Sequence, residues 1–263
     1  MSSSTATKTA TREYLSPAQI AEFNRDGFLY VPAAFSAPET RDITQWTAEV
    51  QGWKEVPARH MAYYEDSLTE KGKRVLQRIE NFVPFHEGFH GLLADPRMLG
   101  AVEQLLGDRA VLFKEKINFK LPGGDGFKPH QDQQAGWWNY APLFITALVT
   151  IDEQTIENGC LELAAGHHKK GLVGGEWTPL NDKDMAGMKF IPYPTKPGDV
   201  MYFDSFAPHG SQPNRTAKPR RVLYITYNAM KHGDHRVQYY ADKRKNFPPD
   251  IEREPGKQYK FRV

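Results

Sequence analysis

The sequence is poor in sulfur, in long apolar runs and in net charge. One cysteine, Cys160, among 263 residues excludes an internal disulfide framework and fits a reducing, cytoplasmic setting. No apolar run approaches the ~20 residues that a membrane-crossing helix needs. The 34 basic and 32 acidic residues leave a net charge of +2, too little to favour nucleic acid or an anionic membrane. A small molecule is the expected partner, and no feature specifies an oligomeric state. Residues 1–13 are rich in Ser, Thr and Ala but lack an apolar core, so they are not a secretory signal. They read as a disordered tail, with an organellar transit peptide as the second reading. Repeats of solenoid period and low-complexity tracts are also missing.

What remains is an ordinary globular composition, 40% hydrophobic and 25% charged, long enough for one large core. Residues 14–263 read as one domain. Ser16-Pro17 and Ser36-Ala37-Pro38 are cap-then-proline starts, which predict helices to about Arg25 and Gln51. A further helical stretch, interrupted near Asp95-Pro96, is expected over 87–106. Short strands are expected at 28–31, 75–82, 111–120, 129–134, 143–151, 160–163, 188–193, 200–203 and 221–228. Turns such as Asn158-Gly159 and Lys196-Pro197-Gly198-Asp199 punctuate them. The fold class is therefore mainly β with flanking helices, a sandwich or barrel. The charged stretch from about Lys231 is expected to wrap the surface or cover one edge.

The chemistry centres on His130-Gln131-Asp132 and a distant His209. On a strand, residues two apart share a face, so His130 and Asp132 can grip one ion while Gln131 points away. A second His from another strand completes a 2-His-1-carboxylate set, which leaves coordination positions open and suits Fe(II) oxygenases. Such an enzyme needs two electrons, commonly from 2-oxoglutarate, whose distal carboxylate calls for a cation. Arg220 and Arg221, at the mouth of the strand Val222-Leu223-Tyr224-Ile225, point to opposite faces, and spacing alone does not choose between them.

These residues resemble a known family. His130-Gln131-Asp132, Glu157-Asn158-Gly159-Cys160-Leu161 with Ala165-Gly166-His167-His168, His209-Gly210-Ser211 with Arg220, and Asp26-Gly27-Phe28-Leu29 are similar to motifs of the phytanoyl-CoA hydroxylase family. The similarity covers roughly residues 15–230. It implies a double-stranded β-helix (jelly-roll, cupin-like) core. It implies iron held by His130, Asp132 and His209, with O2 as oxidant and oxoglutarate as co-substrate. It further implies that Arg220, rather than Arg221, takes the distal carboxylate of oxoglutarate, with Asn118, Thr146 and Ser211 also holding that molecule. The carboxylate at Asp132 points to hydroxylation rather than halogenation.

Substrate contacts are expected from Lys116 and Lys114. Gln133 is expected on the ligand face, and Trp137 on a pocket-walling loop. Arg78 and Glu80 form a pair able to grip a zwitterion, although a surface ion pair is the commoner outcome. The Lys-rich strand 111–120 favours a small anionic or zwitterionic substrate. The stretch 114–137 is similar to 2-aminoethylphosphonate-type hydroxylases. Other readings are a natural-product or acyl-CoA oxidase of the same family, a zinc hydrolase on the same triad, a metal-binding jelly-roll without catalysis, and a structural sandwich with core histidines.

Overall fold

The computed structural model describes residues 13–259. Helices form where the cap signals stand: α1 (Pro17–Asp26), α2 (Ala37–Gln51), α3 (Glu87–Leu93), α4 (Pro96–Leu106) and α5 (Arg236–Asn246). Ser16 and Gln19 close a reciprocal capping box on α1, and Ser36 with Glu39 does so on α2. Gly27, at φ 86°, ends α1 in the left-handed conformation that lets the chain turn into the first strand.

The strands are β1 (Phe28–Val31), β2 (Met61–Asp66), β3 (Arg74–Glu80), β4 (Ala110–Asn118), β5 (Phe127–His130), β6 (Phe144–Thr150), β7 (Leu161–Leu163), β8 (Ile191–Tyr193), β9 (Val200–Asp204), β10 (His209–Ser211) and β11 (Val222–Ala229). They form two antiparallel sheets. The larger has the order β1-β9-β6-β11-β4-β3-β2, the smaller β5-β10-β7-β8. Neighbours in both sheets are mostly distant in sequence, as in the expected jelly-roll.

Strand alternation sorts the core. On β6, Ile145, Ala147 and Val149 face outward into a cluster with Phe23, Ile43, Phe89 and Val102 of the helices. Leu148 faces inward and meets Leu161, Leu163, Phe203 and Tyr224 between the sheets. Each buried aliphatic side chain contributes roughly 1.5–3 kcal/mol, so both faces of the large sheet are held by burial.

Two expectations need correction, and β4 adds a feature of its own. The strand expected over 129–134 ends at His130, and a 3-10 turn over Asp132–Ala135 follows, capped by Gln131 and Gln134. The strand expected over 75–82 ends at Glu80, because Asn81 takes φ 55°. Strand β4 carries a bulge: Lys114 pairs with Thr226 but Leu112 pairs with Tyr227, leaving Phe113 as the extra residue. Leu112 therefore packs toward the helices rather than sharing the face of Lys114.

The segment after Lys231 does more than wrap the surface. Helix α5 buries Tyr239 and Tyr240 against Phe113, Trp137 and Met61. The tail expected over 1–13 lies, but for Glu13, outside the described residues.

Candidate active site

His130 and His209 are opposite each other in the β5–β10 pair, and their ring centroids lie 4.3 Å apart. Each imidazole is fixed by its Nδ1, which meets a backbone carbonyl two residues earlier: Lys128 at 2.7 Å and Ala207 at 3.0 Å. That leaves both Nε2 atoms facing inward, each 4.0 Å from Asp132 Oδ1. Such anchoring of the second ring nitrogen is the usual support for a metal-ligating histidine. Asp132 joins them through the 3-10 turn, not through strand alternation.

Electrostatics keep the three in ligand form. Burial, reinforced by His209, pushes His130 down to about 3, and burial also lowers His209. Both imidazoles are thus neutral near pH 7. Burial works to raise Asp132, but nearby positive charge, from His209 in its protonated form, then Lys116 and His130, brings its carboxyl below the usual value, so it is ionised near pH 7.

Two of the three, His130 and Asp132, line a cavity of about 540 Å³. Its walls include Arg78, Glu80, Lys114 and Lys116 from β3 and β4, Phe127, Trp137 and Trp177 from loops and strand ends, and Tyr239 and Lys243 from α5. Trp137 is buried against Phe113 and Phe144 while lining the cavity, so it is both wall and packing. Trp138 is exposed and donates to Glu176.

The neighbouring Arg220 and Arg221 separate as alternation requires. Arg221 makes a two-pronged pair with Asp152, both bonds at 2.8 Å. Arg220 is fully buried and donates Nε to Gln154 Oε1 at 3.0 Å. Among the described residues, its two terminal nitrogens meet no hydrogen-bond partner, and neither does Asn118 Oδ1. The Tyr224 hydroxyl lies beside both side chains. A buried guanidinium with two donors free calls for an acceptor pair, and a carboxylate supplies one. The residues present therefore fit oxoglutarate beside the triad.

Ser211 stands at the same end. Its Oγ accepts from Lys120 Nζ at 2.7 Å. Lys120, at the end of the Lys-rich stretch 111–120, also donates to the carbonyls of Gly159 and Gln212. Burial, then the nearby Arg220, push its ammonium down to about 6. A Cβ on Gly159 would lie 1.9 Å from the Gln212 carbonyl oxygen, so only glycine lets this turn approach β10.

One expected contact falls elsewhere. Thr146 faces inward as expected, and its hydroxyl meets Thr226 Oγ1 at 2.9 Å, which leaves it capacity for a further hydrogen bond. Gln133 is not part of the cavity wall, because the chain has left the strand. Its amide donates to Pro142 O and Ser205 Oγ, bracing the loop. Gln131 does point away from the triad, and its amide ties the Gly171 and Phe206 carbonyls. Arg78 and Glu80 are buried rather than a surface pair, at 2.7 Å. Asp204 accepts from the Phe206 amide as a turn residue and does not support His209.

Sequence reading missed Lys243, Tyr239 and Gln154. Only the fold brings them to the cavity or to Arg220.

Comparison with known proteins gives the same answer. The pattern of the phytanoyl-CoA dioxygenase family matches residues 23–222. The chain is 39% identical over 247 residues to a 2-aminoethylphosphonate dioxygenase from an uncultured bacterium, covering 94% of each protein. It is 38% identical over 234 residues to the methylphosphonate hydroxylase of Gimesia maris, covering 89% of this chain and 88% of that one. The solved structure of EctD from S. alaskensis with 2-oxoglutarate and 5-hydroxyectoine shares the fold, with a TM-score of 0.71 at 24% identity over 86% of this chain and 80% of that one. Among the described residues no helix is long and apolar enough to cross a membrane. With the triad, the free guanidinium and these relatives in place, the chain belongs to the phytanoyl-CoA dioxygenase family and is an iron- and 2-oxoglutarate-dependent oxygenase.

Proposed function

We propose that this enzyme hydroxylates a C–H bond of a small phosphonate, in the manner of its 2-aminoethylphosphonate and methylphosphonate relatives. The observation that carries the substrate class is the cationic wall over the triad: Arg78, Lys114, Lys116 and Lys243 share one cavity. A small dianion is the natural guest of such a wall.

His130, Asp132 and His209 would hold the iron, and Arg220 with Asn118 and Ser211 would hold oxoglutarate. Iron and oxoglutarate, when bound, supply the oxidising chemistry: oxoglutarate and O2 become succinate, CO2 and the hydroxyl oxygen delivered to carbon. The chain's own contribution is placement. Neutral imidazoles and an ionised carboxylate keep the ligand set open to metal without first releasing protons. The cationic wall orients the substrate so that a carbon next to its anionic group faces the triad. Trp137, Tyr239 and Phe127 exclude water from that carbon. Large acyl-CoA substrates fit this reading poorly, because the cavity of about 540 Å³ suits a small guest. The lone, buried Cys160 supports a cytoplasmic setting.

The test is anaerobic reconstitution with Fe(II) and oxoglutarate, then O2 with panels of phosphonates, amino acids and acyl-CoAs. Succinate formed in step with a hydroxylated phosphonate supports the proposal. Coupled turnover with another panel only would overturn the substrate class.

A further inference from the structure

Lys243 comes from α5, outside the matched family pattern over 23–222. Its Nζ donates to both oxygens of Glu80, at 2.7 and 2.6 Å. Arg78 Nε takes Glu80 Oε1 as well, at 2.7 Å. Both Glu80 oxygens are therefore engaged. Lys114 reaches the same carboxylate only at 3.9 Å, and its ammonium lies over the rings of Trp137 and Tyr239. Lys116, on the same face of β4, lies over Phe127 and Tyr224.

Charge counting makes the arrangement informative. Four cations around the triad face two interior carboxylates, Glu80 and Asp132, while Asp242 at the rim is taken by Tyr140. A divalent iron and a dianionic oxoglutarate cancel each other, so the buried cations around the site, Arg220 included, still outnumber the buried carboxylates. Such an excess of buried charge calls for a partner of opposite charge.

We infer that Lys114 and Lys116 bind the doubly charged end of the substrate, and that Lys243 is the positioning residue that keeps Lys114 available by occupying Glu80. This rests on the phosphonate reading above. If Lys243 did not satisfy Glu80, that carboxylate would be free to close the 3.9 Å gap and neutralise Lys114. Helix α5 then sets specificity from the substrate side of the cavity, without touching iron or oxoglutarate.

The experiment is calorimetric titration of 2-aminoethylphosphonate into the anaerobic Fe(II)–oxoglutarate enzyme, with oxoglutarate affinity measured separately. Losing a charge-assisted contact weakens binding about 10- to 100-fold. Lys114→Met and Lys243→Met should each show that loss, with oxoglutarate affinity within about twofold of wild type. Adding Glu80→Gln to Lys243→Met should restore most of the affinity, because the neutral amide no longer competes for Lys114. A merely structural role for Lys243 would show no such rescue. Unchanged binding in Lys243→Met, or a double variant no better than the single, overturns the inference while leaving the function intact. If Lys243→Met does not fold, Lys114→Met decides: it must abolish the preference for the phosphonate over the singly charged 2-aminoethylsulfonate, and a retained preference overturns the inference. A wild-type enzyme that neither binds nor oxidises any phosphonate sinks the functional reading itself.

Discussion

Arg220 is held by Gln154 through a single bond, Nε to Oε1 at 3.0 Å. The Gln154 amide nitrogen is spent on Thr150 Oγ1 at 3.1 Å and Thr195 Oγ1 at 2.5 Å, so its oxygen has to face the arginine. This fixes the plane of the guanidinium while leaving both terminal nitrogens for an incoming carboxylate. Arg220→Ala should weaken oxoglutarate binding about 100-fold, the scale of a lost two-pronged charged contact. Gln154→Leu should weaken it about 10-fold by loosening the fork, and Arg221→Ala should leave it near wild type. Titration of oxoglutarate into the anaerobic Fe(II) enzyme measures all three. A larger loss for Arg221→Ala than for Arg220→Ala would move the cofactor site.

Much of this architecture was legible in the sequence, because caps and alternation are local signals. The helix starts at Ser16 and Ser36 follow from their caps, and the opposition of Arg220 to Arg221 follows from side-chain period. The triad was legible for a partly wrong reason. His130 and His209 meet as cross-strand partners, but Asp132 arrives on a tight turn whose 3-10 geometry a His-x-Asp spacing does not reveal. The β4 bulge at Phe113 was hidden because one extra residue leaves no compositional mark. The Thr226 partner of the Thr146 hydroxyl was equally unreadable, since it sits 80 positions away. Lys243 was unreadable for a similar reason. A lysine in a charged stretch looks solvated until the helix carrying it docks on Glu80.

Asp204 gives the fold an acid-side gain in stability. Burial pushes its carboxyl up to about 6, opposed only by the Phe206 amide. The folded state thus prefers the protonated form. The resulting stability is full below the unfolded value near 3.9 and is lost as pH rises through 6. Asp204→Asn keeps the acceptor for Phe206 and removes the charge. It should be more stable than wild type at pH 8, by at most about 3 kcal/mol, and lose that advantage by pH 4. Urea midpoints at pH 4, 6 and 8 read this directly. A difference independent of pH would rule out the titration as its cause.

Arg236 and Glu115 form the clasp that places α5. The Arg236 Nη2 meets both Glu115 oxygens at 2.8 Å, and the Tyr240 hydroxyl bridges to the Glu115 backbone. Glu115 is fully buried, and burial raises its carboxyl despite the arginine. Removing one partner of such a pair strands a buried charge, which costs about 3–5 kcal/mol. Arg236→Met should therefore destabilise strongly in chemical denaturation. Glu115→Leu with Arg236→Met should lose much less, because no charge is stranded. The two ends of the site should also part company. Lys243 rides on α5, whereas Arg220 sits just before β11 and the triad on β5, β10 and a turn, none of them part of α5. Residual folded Arg236→Met enzyme should then bind oxoglutarate nearly normally and the phosphonate poorly. Equal weakening of both ligands would mean that α5 supports the whole cavity rather than its substrate side alone.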